Sequence, residues 1–536
     1  MSAIRWVRSV AFVILLNSVL TTQPFGQTVI PSASTPANSD TGQSLADYAR
    51  KIHKEKPAEV RTTEQDANEL FKKVDETFEF ASRDTGFPKR YNIKRYLVSQ
   101  ADVEKFTRER LAKTQDPVRL ERTQLTMKKF GFLPRDFNLI EFSVKANVQG
   151  VAGYYDEEKK TISLLNWVPI EQQGPILAHE LTHALQDQNY DLKRWAKAGQ
   201  PPASEKNGRA EADMDESVAV RHAVGEGQAM VVYYDYMLAP YGRTLLNSPG
   251  VISEMEDPSV KAVVDTEFMH NAPMVLREMG AFPYRDGLLF ENELLAKGGK
   301  AMAFAGAFAR PPRNTHEVLQ PKAYIEREKM SPVVIPDLQS FVGGKYELYD
   351  SGSMGELDVR ALLEQYGERR LAPELSAAWS GGSYVMLKKT TPEASATQVA
   401  DLAFLYVSRW KNPQAAEQFA RVYAASVSTR YRNTSVPQSN ACADTACALS
   451  STIVTTEEGP VLVETWPGNT VIISESFDLQ TAAQLRGAVL NQKTSTTQIL
   501  PQKELCIRLE QIPAFRDFQA NLGARIFDQT KYRMHQ

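Results

Sequence analysis

Cysteine is scarce in this chain, with 3 residues in 536. That excludes a scaffold built from disulfides and a Cys-rich zinc module. Charge of one sign is missing too. Lysines and arginines number 62 against 65 acidic residues, a formal net charge of −3, so nucleic acid is not expected as a partner. No stretch beyond the N-terminus reaches the 18 or so apolar residues that a membrane-spanning helix needs. Histidine numbers only 7, which makes any pairing of histidines conspicuous. What remains is ordinary: 42% hydrophobic and 24% charged residues, in a chain long enough for two or three domains with real cores.

The N-terminus reads as an export signal. Arg5 and Arg8 precede the apolar run AFVILLNSVL at 11–20, polar residues follow, and Gly26 offers a small residue for cleavage. Residues 1–26 are therefore expected to be a signal peptide and the mature protein to be secreted or periplasmic, the rival being an uncleaved N-terminal anchor. No stable membrane span is expected once the signal is removed. No cysteine follows the run, which argues against a lipid anchor. Cys442 and Cys447 in ACADTAC either close a small surface disulfide, leaving Cys506 over, or all three remain reduced thiols.

Residues 27–63, rich in Ser, Thr, Pro, Ala and Asn, read as a flexible leader. The fold class expected for the rest is α+β, with a main domain over 64–330, a smaller α+β domain over 331–500 and a tail over 501–536. In the main domain the patterns predict a helix at 64–82, a strand at 91–98, helical material at 101–129 and a strand at 137–144. A hairpin follows, GVAGYY at 150–155 and TISLL at 161–165 around a charged turn, and then a helix at 175–187 with Pro175 at its first position. The second domain reads as helix 355–367, strands 384–388 and 400–410, helix 413–431, strands 451–456 and 461–474, and helix 479–491.

One motif carries chemistry. His179-Glu180-Leu181-Thr182-His183 is HExxH, and chance predicts on the order of 0.005 such motifs in a chain so poor in histidine. Residues i and i+4 share a helix face, so both imidazoles reach one ion, while Leu177, Leu181, Ala184 and Leu185 are free to pack into the core. Glu180 lies beside that face, where its carboxylate can take a proton from a water whose pKa zinc lowers to about 7.

A catalytic zinc site wants three protein ligands and an open position. Glu226 stands 43 residues beyond His183, inside an apolar helical run and between Gly225 and Gly227. Glycine costs about 1 kcal/mol against alanine in a helix; close packing of this helix on the HExxH helix would account for both and deliver the carboxylate to the metal. His222, one turn earlier, is the competitor as ligand, supporting hydrogen-bond partner or plain surface residue. Glu211, Asp213, Asp215 and Glu216 read as a solvated face. Asp187 either orients an imidazole or caps the helix end. His316 is assigned to a capping box formed by Asn314 and Glu317 rather than to the cleft.

HELTHALQDQ, the later EG-Q-A helix and the preceding AGYYD…KTISLL hairpin together resemble zincin metallopeptidases of the gluzincin kind, over roughly residues 60–330. FPY at 282–284 and PPRNTHE at 311–317 also look like the later part of this domain in secreted bacterial and archaeal proteins of uncharacterised specificity. The resemblance implies a third zinc ligand from the later helix, here Glu226 beside His179 and His183. It also implies an edge strand, Val151 to Tyr155, that binds extended peptide by strand addition. Two departures stand out: position 230 is Met where the family pattern has Asp four residues after the ligand Glu, and the gap from His183 to Glu226 is longer than in the best-known members. The expected function is an exported Zn2+-dependent peptidase acting on protein or peptide, with Glu180 as the catalytic base. The alternatives are an inactive zinc-binding envelope protein that acts as a binding module, and an envelope protein in which the motif is incidental. Nothing in the sequence specifies an oligomeric state.

Overall fold

Leu70, Val74, Phe78 and Ala81 recur at helical spacing along α1 (Glu64–Thr85), and all four are buried. That stripe packs on α3 (Ile170–Tyr190), the helix carrying the HExxH motif. The computed structural model describes residues 64–99, 102, 117–139, 141–142, 154–156, 159–166, 170–197, 208–256, 271–330, 333–390, 398–440 and 448–491. The signal segment, the leader, all three cysteines and the tail lie outside them. Among the described residues no helix is long and apolar enough to cross a membrane.

Between α1 and α3 the chain supplies β1 (Lys94–Val98), α2 (Pro117–Phe130) and the hairpin of β2 (Tyr154–Asp156) with β3 (Thr161–Leu165). The three strands form a sheet in the order β1-β3-β2, with β1 parallel to β3 and β2 antiparallel to it. β2 is thus an outer strand, and Val151 to Gly153 lie outside the described residues. Two long helices complete this part of the molecule, α4 (Gly208–Leu238) and α5 (Met274–Lys300). A π-helical turn, Ala301–Gly306, follows α5.

The second half is a seven-stranded antiparallel sheet in the order β4-β5-β6-β10-β9-β8-β7, built from β4 (Tyr346–Ser353), β5 (Trp379–Lys389), β6 (Leu402–Trp410), β7 (Gln438–Asn440), β8 (Ser450–Thr456), β9 (Gly459–Trp466) and β10 (Thr470–Glu475). Helices α6 (Glu356–Tyr366), α7 (Pro413–Arg430) and α8 (Leu479–Leu490) accompany it. Period-two alternation buries both faces. Tyr384, Met386, Phe404 and Tyr406 join the large core that also holds Phe419 and Tyr423 of α7. Val385, Leu387, Ala403 and Leu405 face the other way, onto Ile335, Leu338 and Leu485.

The large core is continuous from Leu70 to Ile473. Phe130 of α2 lies 4.3 Å, centroid to centroid, from Phe404 and 5.0 Å from Tyr384. Lys129, fully buried, donates to Glu458 and to Ser476, each at 2.7 Å. Arg285 of α5 and Arg360 of α6 share Asp286 in a buried ion network.

Several expected elements fall elsewhere. Of the strand expected at 137–144, residues 139 and 141–142 are helical and 137–138 are irregular. The Asn138 side chain accepts from Glu141 N at 3.0 Å, and its carbonyl accepts from Phe142 N; this capping favours a helical turn over an extended chain. The HExxH helix begins at Ile170 rather than Pro175, so the proline sits inside it; near the N-terminus it removes only one ladder bond. Residues 461–474 are two strands, because Gly468 and Asn469 both take positive φ and turn the chain.

Candidate metal centre

Helix α3 places His179 and His183 on one face, with side chains 0% and 5% exposed. Their Nε2 atoms are 3.1 Å apart. Glu226 Oε2 lies 3.1 Å from the His179 Nε2 and 3.3 Å from the His183 Nε2. Donor atoms about 2.0–2.1 Å from a tetrahedral zinc lie about 3.3–3.4 Å from one another, so a triangle of these dimensions fits one zinc ion with little adjustment. Among the described residues this is the group of three His, Cys, Asp or Glu side chains whose ligand atoms converge in this way. The sequence-predicted ligands are therefore together.

Glu226 comes from α4, and its flanking glycines have separate partners. A Cβ on Gly227 would stand 2.3 Å from the carbonyl oxygen of Gly287, and one on Gly287 would stand 2.4 Å from the carbonyl of Ala223. The tight crossing is thus between α4 and α5, not between α4 and the HExxH helix as expected. Gly225 does face the HExxH helix, through the side chain of Gln186: a Cβ there would lie at an ordinary 3.8 Å from Oε1.

The cluster's own field favours positive charge. Burial works against ionisation of Glu226, yet the His183 charge and hydrogen bonds from three histidines hold it well below the usual carboxylate range. Burial likewise opposes protonation of His183, but Glu226 overrides it and raises that imidazole to about 9. Burial keeps His179 below its usual value. A buried carboxylate that stays ionised between two imidazoles calls for a compensating positive charge, either a proton on His183 or a metal cation.

Glu180 is nearly fully buried beside the triad. Burial pushes it up to about 8, with the Glu226 charge adding and His183 and the Tyr155 N–H opposing. A carboxylate with that proton affinity exchanges protons near neutral pH. The Tyr155 backbone N–H donates to Glu180 Oε2 at 2.9 Å, which places the outer strand β2 directly against this carboxylate.

Asp187 serves the hairpin, not an imidazole. It accepts from the Tyr155 hydroxyl at 2.7 Å and from the Leu192 N–H at 3.2 Å, and it pairs with Lys160. Gln186 is the residue that meets His183, its Oε1 lying 2.9 Å from Nδ1. His222 Nε2 lies 3.2 Å from Glu226 Oε1, the oxygen turned away from the other two histidines, so it supports the carboxylate. Its side chain is 13% exposed, the most open of the three histidines. Tyr284 of α5 lies beside both the His179 and His222 rings, with centroids 6.5 Å apart in each case.

His316 is not among the converging side chains. It is fully buried and bonded to Glu356, while Asn314 accepts from Glu317 N at 3.1 Å. Only half of the expected capping box forms, because the Glu317 side chain binds Arg313 instead. The side chains of Glu211, Asp213, Asp215 and Glu216 lie outside the described residues. Sequence reasoning missed Gln186 and Gln228; their place three residues after His183 and two after Glu226 was the only signal.

Residues 346–486, about a quarter of the chain, match a family model described as a domain of unknown function (DUF8575). The match runs from β4 into α8 and leaves the His179, His183 and Glu226 cluster outside it. No curated protein and no solved structure matches the chain.

Proposed function

We propose that this protein is an exported zinc-dependent peptidase of the gluzincin kind. His179, His183 and Glu226 would hold the metal, and Glu180 would act as general base. The observation that carries the reading is the convergence of two imidazole Nε2 atoms and one carboxylate oxygen in a buried triangle 3.1–3.3 Å on a side, with a further buried carboxylate next to it. Carboxylate and two imidazoles are a hydrolytic zinc donor set. Zinc, when bound, lowers the pKa of a water to about 7 and polarises a carbonyl.

The chain's own residues supply the rest. Glu180 takes a proton from the attacking water and hands it to the leaving amine, which suits a proton affinity near neutrality. Its bond from the Tyr155 N–H fixes the carboxylate beside β2, where an extended peptide would add as a further strand. His222 keeps the second oxygen of Glu226 engaged, so that the first points at the metal position. The substrate class is protein or peptide, and the signal-like segment at 1–26 supports a secreted or periplasmic site of action.

The test is zinc content together with cleavage of an unstructured protein by wild type and Glu180→Gln. Zinc retained in both with cleavage lost in the variant is the expected result. Equal cleavage by both would sink the proposal, and zinc without any cleavage by wild type would point to a binding module.

A further inference from the structure

Gln228 is fully buried, and its Nε2 stands 2.9 Å from the carbonyl oxygen of Ala303 and 3.1 Å from that of Phe304. Both carbonyls belong to the π-helical turn after α5. A carbonyl only accepts hydrogen bonds, so the NH2 end of the Gln228 amide must face this turn. Its Oε1 is then left toward Gln186, whose Nε2 donates to it at 3.1 Å and to the Gly225 carbonyl at 3.0 Å. Gln186 is fully buried as well. With its nitrogen so committed, its oxygen is the end that meets His183 Nδ1 at 2.9 Å. An amide oxygen cannot donate, and that sets the hydrogen on the imidazole.

We infer that Gln186 and Gln228 form a directed relay from the π-helical turn that holds His183 as the Nδ1–H tautomer and aims its Nε2 lone pair into the metal position. Gln186 is the positioning residue that touches the ligand, and Gln228 acts through it. The inference rests on the proposal that His183 is a zinc ligand. Reversing either amide would set oxygen against oxygen at the carbonyls or leave a buried donor without an acceptor, so the relay has one direction.

The experiment is zinc affinity of the full-length protein, measured by competition with a chromophoric chelator, for wild type, Gln186→Met, Gln228→Met and the double variant. Partners that orient a metal-binding imidazole typically contribute about 10–100-fold to affinity. Gln186→Met is expected to fall in that range, and Gln228→Met to lose severalfold although it touches no ligand. The double variant should match Gln186→Met within about twofold, because the relay is already broken. Unchanged affinity in Gln228→Met, or losses that multiply in the double variant, would overturn the relay while leaving the zinc site standing. Wild type that binds no zinc would instead overturn the zinc site, and the positioning role with it. A second measurement needs no variant: in zinc-loaded wild type carrying 15N-histidine, the His183 Nδ1–H is expected as a slowly exchanging proton signal. Its absence would also overturn the inference.

Discussion

The Tyr155 N–H donates to Glu180 Oε2 at 2.9 Å, while the hydroxyl of the same tyrosine donates to Asp187 Oδ2 at 2.7 Å. One residue of the outer strand is thus fastened to the HExxH helix at two points two turns apart. Its backbone meets the Glu180 carboxylate, and its side chain meets a second buried carboxylate that also binds Lys160.

These two attachments separate in a variant. Tyr155→Phe keeps the backbone bond to Glu180 and removes the one to Asp187. A hydrogen bond to a charged group contributes about 1.5–3 kcal/mol, and Asp187 keeps its other donors, so a loss of about 1–2 kcal/mol is expected in denaturant unfolding. In peptide cleavage the variant should raise KM more than it lowers kcat, because the strand that would seat the peptide loosens while the base stays in place. A fall in kcat alone would contradict this.

Glu226 and His222 part company in metal binding. Glu226→Ala removes a donor atom and is expected to weaken zinc binding by at least about 100-fold. His222→Ala leaves all three donor atoms and should cost roughly tenfold, as expected of a residue that orients a ligand. The measurement is chelator competition on both variants, and the reverse order would make His222 the ligand.

Gly227→Ala tests the helix crossing. Helix propensity alone predicts a gain of about 1 kcal/mol, but the new Cβ would meet the Gly287 carbonyl oxygen at 2.3 Å. Overpacking of that kind costs about 1–3 kcal/mol or more, so a lower melting temperature is expected. Weaker zinc binding should accompany it, since α4 carries Glu226. A melting temperature at or above wild type would show that the two helices do not approach so closely.

Glu291 of α5 is fully buried beside Gln228, and burial holds it well above the usual carboxylate range. The folded protein therefore keeps a proton that the unfolded chain releases as pH rises through about 4.5. Stability from this group is fully present below that pH and is lost above it, at up to about 1.4 kcal/mol per pH unit until the folded carboxyl itself ionises. Glu291→Gln removes the titration. Its stability relative to wild type should rise steadily between pH 5 and 7, measured by urea unfolding across that range. Parallel curves for the two proteins would contradict the assignment.

The three converging residues were legible because helix periodicity alone brings positions 179 and 183 to one side, and because the glycines around Glu226 demand a close neighbour. That neighbour was misread: Gly287 sits 60 residues further on, and no local pattern points to it. Asp187 has helical spacing to His183, yet Tyr155 and Lys160 claim it, since the hairpin that supplies them folds back onto α3. Gln186 and Gln228 carried no signal beyond proximity, because an amide's role depends on which carbonyls the tertiary fold sets before it. β4 escaped notice for a related reason. Asp350 and Ser351 look like turn residues but are buried, with Asp350 accepting from Thr126 at 3.0 Å.

X-ray absorption at the zinc edge of the full-length wild-type protein tests the central claim most directly. Bound zinc is expected, with a shell of nitrogen and oxygen at about 2.0–2.1 Å, imidazole scattering from two histidines, and no sulfur. Replacing Glu226 with Ala should remove that signal or alter its shell. Wild-type protein without zinc, or zinc held by sulfur at about 2.3 Å, would contradict it.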